Sequence, residues 1–155
     1  MAFVINSPAV TPEEAEIANG DFWPAIDPVQ MRADHRIDQS ITSERLRAAL
    51  IEAIASVNGE LATWTATKIA TGATTIDDVE AEMIDDTSIL VHRYFRAVGC
   101  TAKADVTERM RDYDTTHEGQ RQADALNPVI DELRRDARWA ISAILGLSRS
   151  TIELI

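Results

Sequence analysis

The chain has 155 residues, of which 45% are hydrophobic and 26% charged, and we expect a single soluble globular domain. The formal net charge of −11 argues against tight binding to nucleic-acid phosphate, which requires clustered cations. No apolar run approaches the roughly 20 residues of a membrane helix, and the N-terminal sequence lacks the pattern of a secretory signal. The single cysteine, Cys100, excludes an internal disulfide and suits a reducing compartment.

The negative charge is concentrated in two segments. The first 31 residues contain five acidic residues and no Lys or Arg, and residues 72–86 contain six acidic residues and again no base. These eleven acids equal the net charge, so the rest of the chain is electrically balanced. The acids of the second segment are Asp77, Asp78, Glu80, Glu82, Asp85 and Asp86.

Residues 1–26 are predicted to form an extended N-terminal arm, because Pro8, Pro12 and Pro24 interrupt it. The arm carries the aromatic pair Phe22 and Trp23. Either these rings fold back onto the core, or they pack on a neighbouring subunit, where aromatic side chains often anchor an interface.

A body of about four helices is predicted over residues 27–146, from apolar positions that recur every three or four residues. The predicted bounds are Pro28 to about Ile37, Ser43 to about Ala70, about Ser88 to Asp112, and near Glu118 to Leu145. Pro128 lies inside the fourth pattern and should kink or split that helix near Asn127. The predicted fold class is all-α, a helical bundle with extended ends.

Residues 147–155 are predicted to form a docking tail. Within the tail, residues 150–155 alternate apolar and polar side chains with the period of a strand; they are Ser150, Thr151, Ile152, Glu153, Leu154 and Ile155. No other segment has a convincing strand pattern, so this strand lacks a partner in its own chain. Pairing with the sheet edge of another protein is the simplest way to supply its backbone hydrogen bonds.

No constellation of residues indicates catalysis, a cofactor or a metal. His35, His92 and His117 are far apart in sequence and fit no ligand spacing. The acidic residues near His117 lack the pattern of a calcium loop, so we interpret them as a solvated turn.

A cluster of arginines on the fourth predicted helix has two interpretations. Arg134, Arg135 and Arg138 stand beside three acidic residues, Asp131, Glu132 and Asp136. They form either a salt-linked helix surface or a subunit interface.

Several short blocks occur in an order and spacing that indicate a known family. The blocks are Ala25-Ile-Asp-Pro28, Met31-Arg32, Leu46-Arg-Ala-Ala49, Lys68-Ile-Ala-Thr-Gly72, Ala123-Asp124, Ile130-Asp-Glu-Leu133, Arg135-Asp136 and Arg138-Trp139-Ala140. Over about residues 22–155 the chain resembles the head completion/stabilisation proteins (gene product L) of temperate contractile-tailed phages.

The resemblance implies a structural virion protein without enzymatic activity, cofactor or membrane contact. Such a protein would pass from the host cytoplasm into the neck of the particle, where it would close the DNA-filled head below the portal protein. It would form an adaptor ring, commonly of twelve subunits, that accepts a tail terminator or another tail-side neck protein.

The site residues expected from this resemblance fall into three groups. Residues 150–155 would bind the portal, and the acids of residues 72–86 would face the DNA channel, where like charge prevents adhesion of the passing genome. The expected inter-subunit contacts are Phe22, Trp23, Arg134, Arg135 and Arg138.

Two other classes of binding protein remain open. A small phage DNA-handling or regulatory protein, terminase-like or of the helix-turn-helix type, would need a basic recognition helix, which the sequence does not offer. A homodimeric helical adaptor of the cytosol would share the predicted helices but would not form a ring.

Overall fold

A computed structural model describes residues 13–111 and 117–147 of the chain, with residues 111 and 117–126 described by their backbone alone. Within these ranges the fold is mostly helical and includes one small antiparallel sheet. The helices are α1 (Pro28–Asp34), α2 (Ser43–Ala70), α3 (Ile89–Arg111) and α4 (His117–Ile144). A 3₁₀ turn at Ile76–Asp78 and the strands β1 (Met83–Ile84) and β2 (Thr87–Ser88) lie between α2 and α3.

The start of α1 and both ends of α2 follow local sequence signals, and these predictions are confirmed. The Asp27 carboxylate accepts hydrogen bonds from the backbone of the first turn of α1, and Thr42 caps α2. Helix α1 ends at Asp34, earlier than predicted, because the chain turns through a left-handed conformation at Arg36, with φ of 49°. That turn directs Ile37 into the core.

Helix α3 is the central element of the helical body. It packs extensively against both α2 and α4, whereas α2 and α4 barely contact each other. Helices α3 and α4 run antiparallel, since Arg93 donates to the carbonyl of Ala143 and Arg134 pairs with Glu108. The core therefore lies on two faces of α3, and a gap remains between α2 and α4.

Residues 13–26, the described part of the predicted arm, fold back onto this body. Ile17 and Ile26 exchange backbone hydrogen bonds of 2.8 and 3.0 Å, which closes the segment into a loop. Phe22 and Trp23 are only 7% and 8% exposed and belong to the core of their own chain. Of the two interpretations of these rings, packing onto the core of their own chain is the one that the structure shows.

A buried polar network and an aromatic stack fix that loop. Asn58 Nδ2 donates to Asn19 Oδ1, Asn19 Nδ2 donates to the Tyr94 hydroxyl, and the Tyr94 hydroxyl donates to Asn58 Oδ1, at 2.6–2.8 Å. Trp23 stacks on Tyr94 with ring centroids 4.3 Å apart and lies 6.1 Å from Trp64. Burial raises the pKa of Tyr94 to about 12, so its hydroxyl keeps its proton.

Two expectations about secondary structure are wrong. The expectation of no strand outside the tail overlooked β1 and β2, because two-residue strands are too short to produce a periodic pattern. Of the kink or split predicted at Pro128, the split is also wrong, since α4 continues through this residue. Asn127, Pro128 and Val129 are exposed, so the helix passes Pro128 on its solvent side, where the proline removes one backbone hydrogen bond. The predicted tail strand, residues 150–155, lies outside the described residues.

Gly99 of α3 lies directly beneath the side chain of His35, the residue that follows α1. A methyl group built on Gly99 would stand 1.9 Å from Nε2 of His35, so the imidazole occupies the space of a side chain. Burial lowers the pKa of His35, and the ring is therefore neutral near pH 7.

We expect the effect of Gly99→Ala on the free energy of unfolding to be destabilising in one background and stabilising in another. In the wild-type chain it should lower the free energy of unfolding by about 1–3 kcal/mol, because the imidazole must move. In a His35→Ala background the same substitution should raise the free energy of unfolding by up to about 1 kcal/mol, because alanine has a higher intrinsic helix propensity than glycine. Gly59→Ala in α2, where nothing lies within 4 Å, is the control and should stabilise both backgrounds. Urea unfolding measures all four cases, and equal gains at Gly59 and Gly99 in the wild type would refute the packing argument.

Candidate assembly surfaces

The acidic segment, residues 72–86, is anchored to the body by its apolar residues. Ile76 and Val79 are buried, and the Ile76 amide donates to the Phe22 carbonyl at 2.9 Å. All six acidic side chains of the segment are exposed. The segment therefore presents a surface rich in carboxylates on a fixed base.

Asp78 differs from the other five acids because it holds the local backbone. Its Oδ2 accepts hydrogen bonds from the amides of Thr74 and Thr75, both at 2.8 Å, and from the Thr74 hydroxyl at 2.6 Å. These donors lower the pKa of Asp78 to about 2. Sequence reasoning missed this structural role, although the Thr75-x-x-Asp78 spacing of a capping box was visible.

The acidic segment ends in a hairpin whose tip is both acidic and apolar. Asp85 and Asp86 occupy the two-residue turn with φ of 52° and 55°, the left-handed values that a type I′ hairpin turn requires. Beside them Met83 and Ile84 are 63% and 46% exposed. His92 Nε2 donates to the Ile84 carbonyl at 3.0 Å and ties the hairpin to α3.

The arginines of α4 form a partly salt-linked surface. Arg134 pairs with Glu108, and Asp136 pairs with Arg96 at 2.9 Å, so both charged residues of α4 form ion pairs with α3. Arg135 instead lies over the Trp139 ring, 4.8 Å from its centroid. Sequence periodicity left open whether Trp139 or Ala140 faces the core. Ala140 is buried and Trp139 is 38% exposed, which makes the Arg135–Trp139 pair a feature of the outer face.

The structure does not bring the predicted site residues together into one surface. The buried Phe22 and Trp23 lie against Trp64 of α2, whereas the arginines lie on α4. The six predicted portal-binding residues are outside the described part of the chain. The candidate surfaces are therefore the acidic segment with its hairpin and the outer face of α4.

Metal ligation and membrane insertion find no support in the described residues. Across residues 13–111 and 117–147, no group of three His, Cys, Asp or Glu side chains could hold a metal ion. The helices in the same ranges also lack a stretch long and apolar enough to span a membrane. Cys100 is buried, and desolvation raises the pKa of its thiol.

Comparison with known proteins gives one consistent result. A family model described as phage head completion protein (GPL) matches residues 17–155. The head completion/stabilization protein of Escherichia phage P2 is 41% identical over 143 residues, covering 92% of this chain and 85% of that protein. No solved structure matches the chain significantly.

The structural role of Asp78 predicts that neutralising it lowers the melting temperature more than neutralising its neighbour Asp77. Asp78→Asn should lower the melting temperature at pH 7, because two backbone amides and a hydroxyl lose a charged acceptor. Asp77→Asn, a substitution at an exposed acid one residue earlier, should leave it unchanged.

The stabilisation supplied by the Asp78 carboxylate should depend on pH in the wild type. Because the folded pKa of about 2 lies below the ordinary 3.8, the stabilisation is present above pH 3.8 and is lost as the pH falls towards 2. The melting temperatures of wild type and Asp78→Asn, followed by circular dichroism, should therefore converge over that interval. A constant difference from pH 7 to pH 2 would contradict this role.

Proposed function

Because the chain belongs to the family of phage head completion proteins, we propose that it is a structural virion protein that closes the DNA-filled head and forms an adaptor ring between portal and tail. The observation that carries this proposal is the extent of the family match, from residue 17 to residue 155. The match includes the helical body, the acidic segment and the predicted tail. Each can therefore be assigned a separate part in the assembly.

We assign attachment to the portal to residues 150–155. Their alternating pattern suits a strand that pairs with the edge of a sheet in another protein, where the backbone supplies affinity and alternate side chains supply specificity. Helix α4 ends at Ile144, and Gly146, with φ of 73°, turns the chain away from the helix axis. The chain has thus left α4 before this segment begins in the sequence.

We assign contacts between ring subunits to the outer face of α4. The exposed Trp139 with Arg135 stacked on it combines the two residue types most often found at the energetic centre of protein interfaces. Arg138 lies one helical turn from Arg134 on the same helix. A ring requires the α4 face of one subunit to meet a different surface of the next, because a closed ring is built from head-to-tail contacts.

We assign the channel surface to the acidic segment. Its exposed carboxylates are not matched by any Lys or Arg between residues 72 and 86, so the segment repels a polyanion at short range. Like-charge repulsion would let the genome pass through the ring without adhering to it. Because Asp78 is needed for local structure, the electrostatic role falls on the other five acids.

Removing residues 150–155 should abolish the formation of infectious particles when the variant complements a phage that lacks the gene. The melting temperature should be unchanged, because the described core ends before this segment. Glu153→Pro should also impair assembly, since proline removes a backbone donor from the strand, whereas Glu153→Gln should be tolerated. Full complementation by the truncated chain would refute portal attachment through this segment.

Neutralising the acidic surface should slow DNA ejection from assembled particles. The test variant is Glu80→Gln, Glu82→Gln and Asp85→Asn, which keeps Asp78 and its hydrogen bonds intact. The matched control is Glu44→Gln, Glu52→Gln and Glu60→Gln, which removes the same charge from exposed positions of α2. Ejection rates triggered in vitro compare the two, and identical rates would rule out the channel assignment.

A further inference from the structure

The face of α2 that points away from α3 is apolar although it is exposed. Ile51 and Ile69 stand near its two ends and are 49% and 52% exposed. Between them, small exposed residues recur every three or four positions; they are Ala55, Gly59, Ala62 and Ala66. We call these six residues the outer α2 face. A helix with apolar residues on both sides is normally covered on both, whereas this subunit covers only the side of α2 that meets the core.

Gly59, at the centre of the outer α2 face, has no packing role within the described part of the subunit. A methyl group built on Gly59 would meet nothing within 4 Å. Glycine inside a helix is less favourable than alanine, and no contact of the subunit offsets that loss. Because glycine lacks a Cβ atom, it allows a side chain of another molecule to approach the helix backbone closely.

The outer face of α4 provides a side chain that suits this position. Trp139 is 38% exposed, and Arg135 lies over its ring. The small residues between Ile51 and Ile69 leave a shallow depression, into which a projecting aromatic ring can pack as a knob packs into a hole. Residues 49–60 of α2 and 134–141 of α4 line one groove, so Gly59 and Trp139 lie at similar levels along their helices.

The outer faces of α2 and α4 are placed for a head-to-tail contact. Helix α3 packs against both α2 and α4, which barely contact each other, so the two outer faces lie on different sides of the subunit. Neighbouring subunits of a large ring differ by a small rotation. The α4 side of one subunit therefore meets the α2 side of the next without a change of orientation.

Charged residues beside the two faces are complementary. Glu52 on α2 and Arg138 on α4 are exposed, and both line the groove of about 400 Å³ that separates the two helices. Neither forms an ion pair within residues 13–111 and 117–147. Since a small rotation keeps the groove sides of neighbouring subunits together, Arg138 of one subunit comes to lie beside Glu52 of the next. This charge pairing favours contact between unlike faces over contact between two α2 faces.

We propose that the outer α2 face receives the outer α4 face of the next subunit, with Trp139 packed over Gly59 and Arg138 beside Glu52. The inference rests on the proposed adaptor ring and identifies the second surface that its subunit contact requires. It does not depend on portal attachment or on the channel assignment.

Crosslinking in assembled particles tests this contact. In a Cys100→Ala background, Ala62→Cys on α2 is combined with Ser142→Cys, which lies three residues after Trp139 on α4. A short bismaleimide should link the two thiols between neighbouring subunits, so denaturing electrophoresis should show a ladder of multimers. The matched control combines Ser142→Cys with Gln30→Cys, at an exposed position of α1, and should give at least about tenfold less multimer because its thiols are not brought together.

Three results of the crosslinking would overturn the inference. Dimers formed by Ala62→Cys alone would mean that two α2 faces meet. Particles that contain the double variant but give no ladder would exclude the contact and leave the virion role intact. Failure to find even the wild-type chain in particles would overturn the proposed function and this inference together.

Gly59→Arg provides a second test, because it fills the centre of the outer α2 face. In the isolated chain the melting temperature should be unchanged or higher, since the site is open and arginine is a better helix former than glycine. In complementation the yield of infectious particles should fall at least about tenfold, because the arginine occupies the place of a central aromatic anchor. Gln30→Arg is the control and should leave the yield unchanged. A full yield with Gly59→Arg would overturn the proposal.

Discussion

The hydrogen-bonded triangle of Asn19, Asn58 and Tyr94 is the constraint on which the arrangement of the chain depends. It joins the N-terminal loop, α2 and α3; Asn19 and Tyr94 are buried there, and Asn58 is half-buried, so the buried polar groups find their partners within the protein. Removing one corner would leave buried polar groups unsatisfied, at a cost of about 1–3 kcal/mol. The stacked rings of Trp23 and Tyr94 add apolar contact to the same junction, so one cluster positions three elements that are distant in sequence.

The position of the acidic segment follows from this junction. The Phe22 carbonyl, fixed by the folded loop, receives the Ile76 amide, and the buried Ile76 and Val79 hold the segment against the body. Asp78 then shapes the turn, and His92 ties the hairpin to α3. The acidic side chains of this segment are therefore held at fixed positions by its anchored backbone.

The family assignment and the surface chemistry give a consistent account of function. A head completion protein must hold other virion proteins and tolerate DNA, and neither task requires catalysis. Under the proposed function, these tasks fall on an acidic surface, an outer α4 face with an aromatic–arginine pair, and a terminal segment with strand periodicity. Because the apolar core already fixes the helices, the proposed surfaces can bind partners without reorganising it.

The sequence alone determined features that depend on neighbouring residues. Asp27 and Thr42 located the starts of α1 and α2 because caps are local, and repeated apolar positions located α2, α3 and α4. The family was also recognised from short blocks. Only the tertiary structure decided the burial of Phe22 and Trp23 and the exposure of Trp139 beside the buried Ala140. These outcomes depend on which surfaces meet in space, and periodicity within one segment carries no information about contacts between segments separated by 40 or more residues.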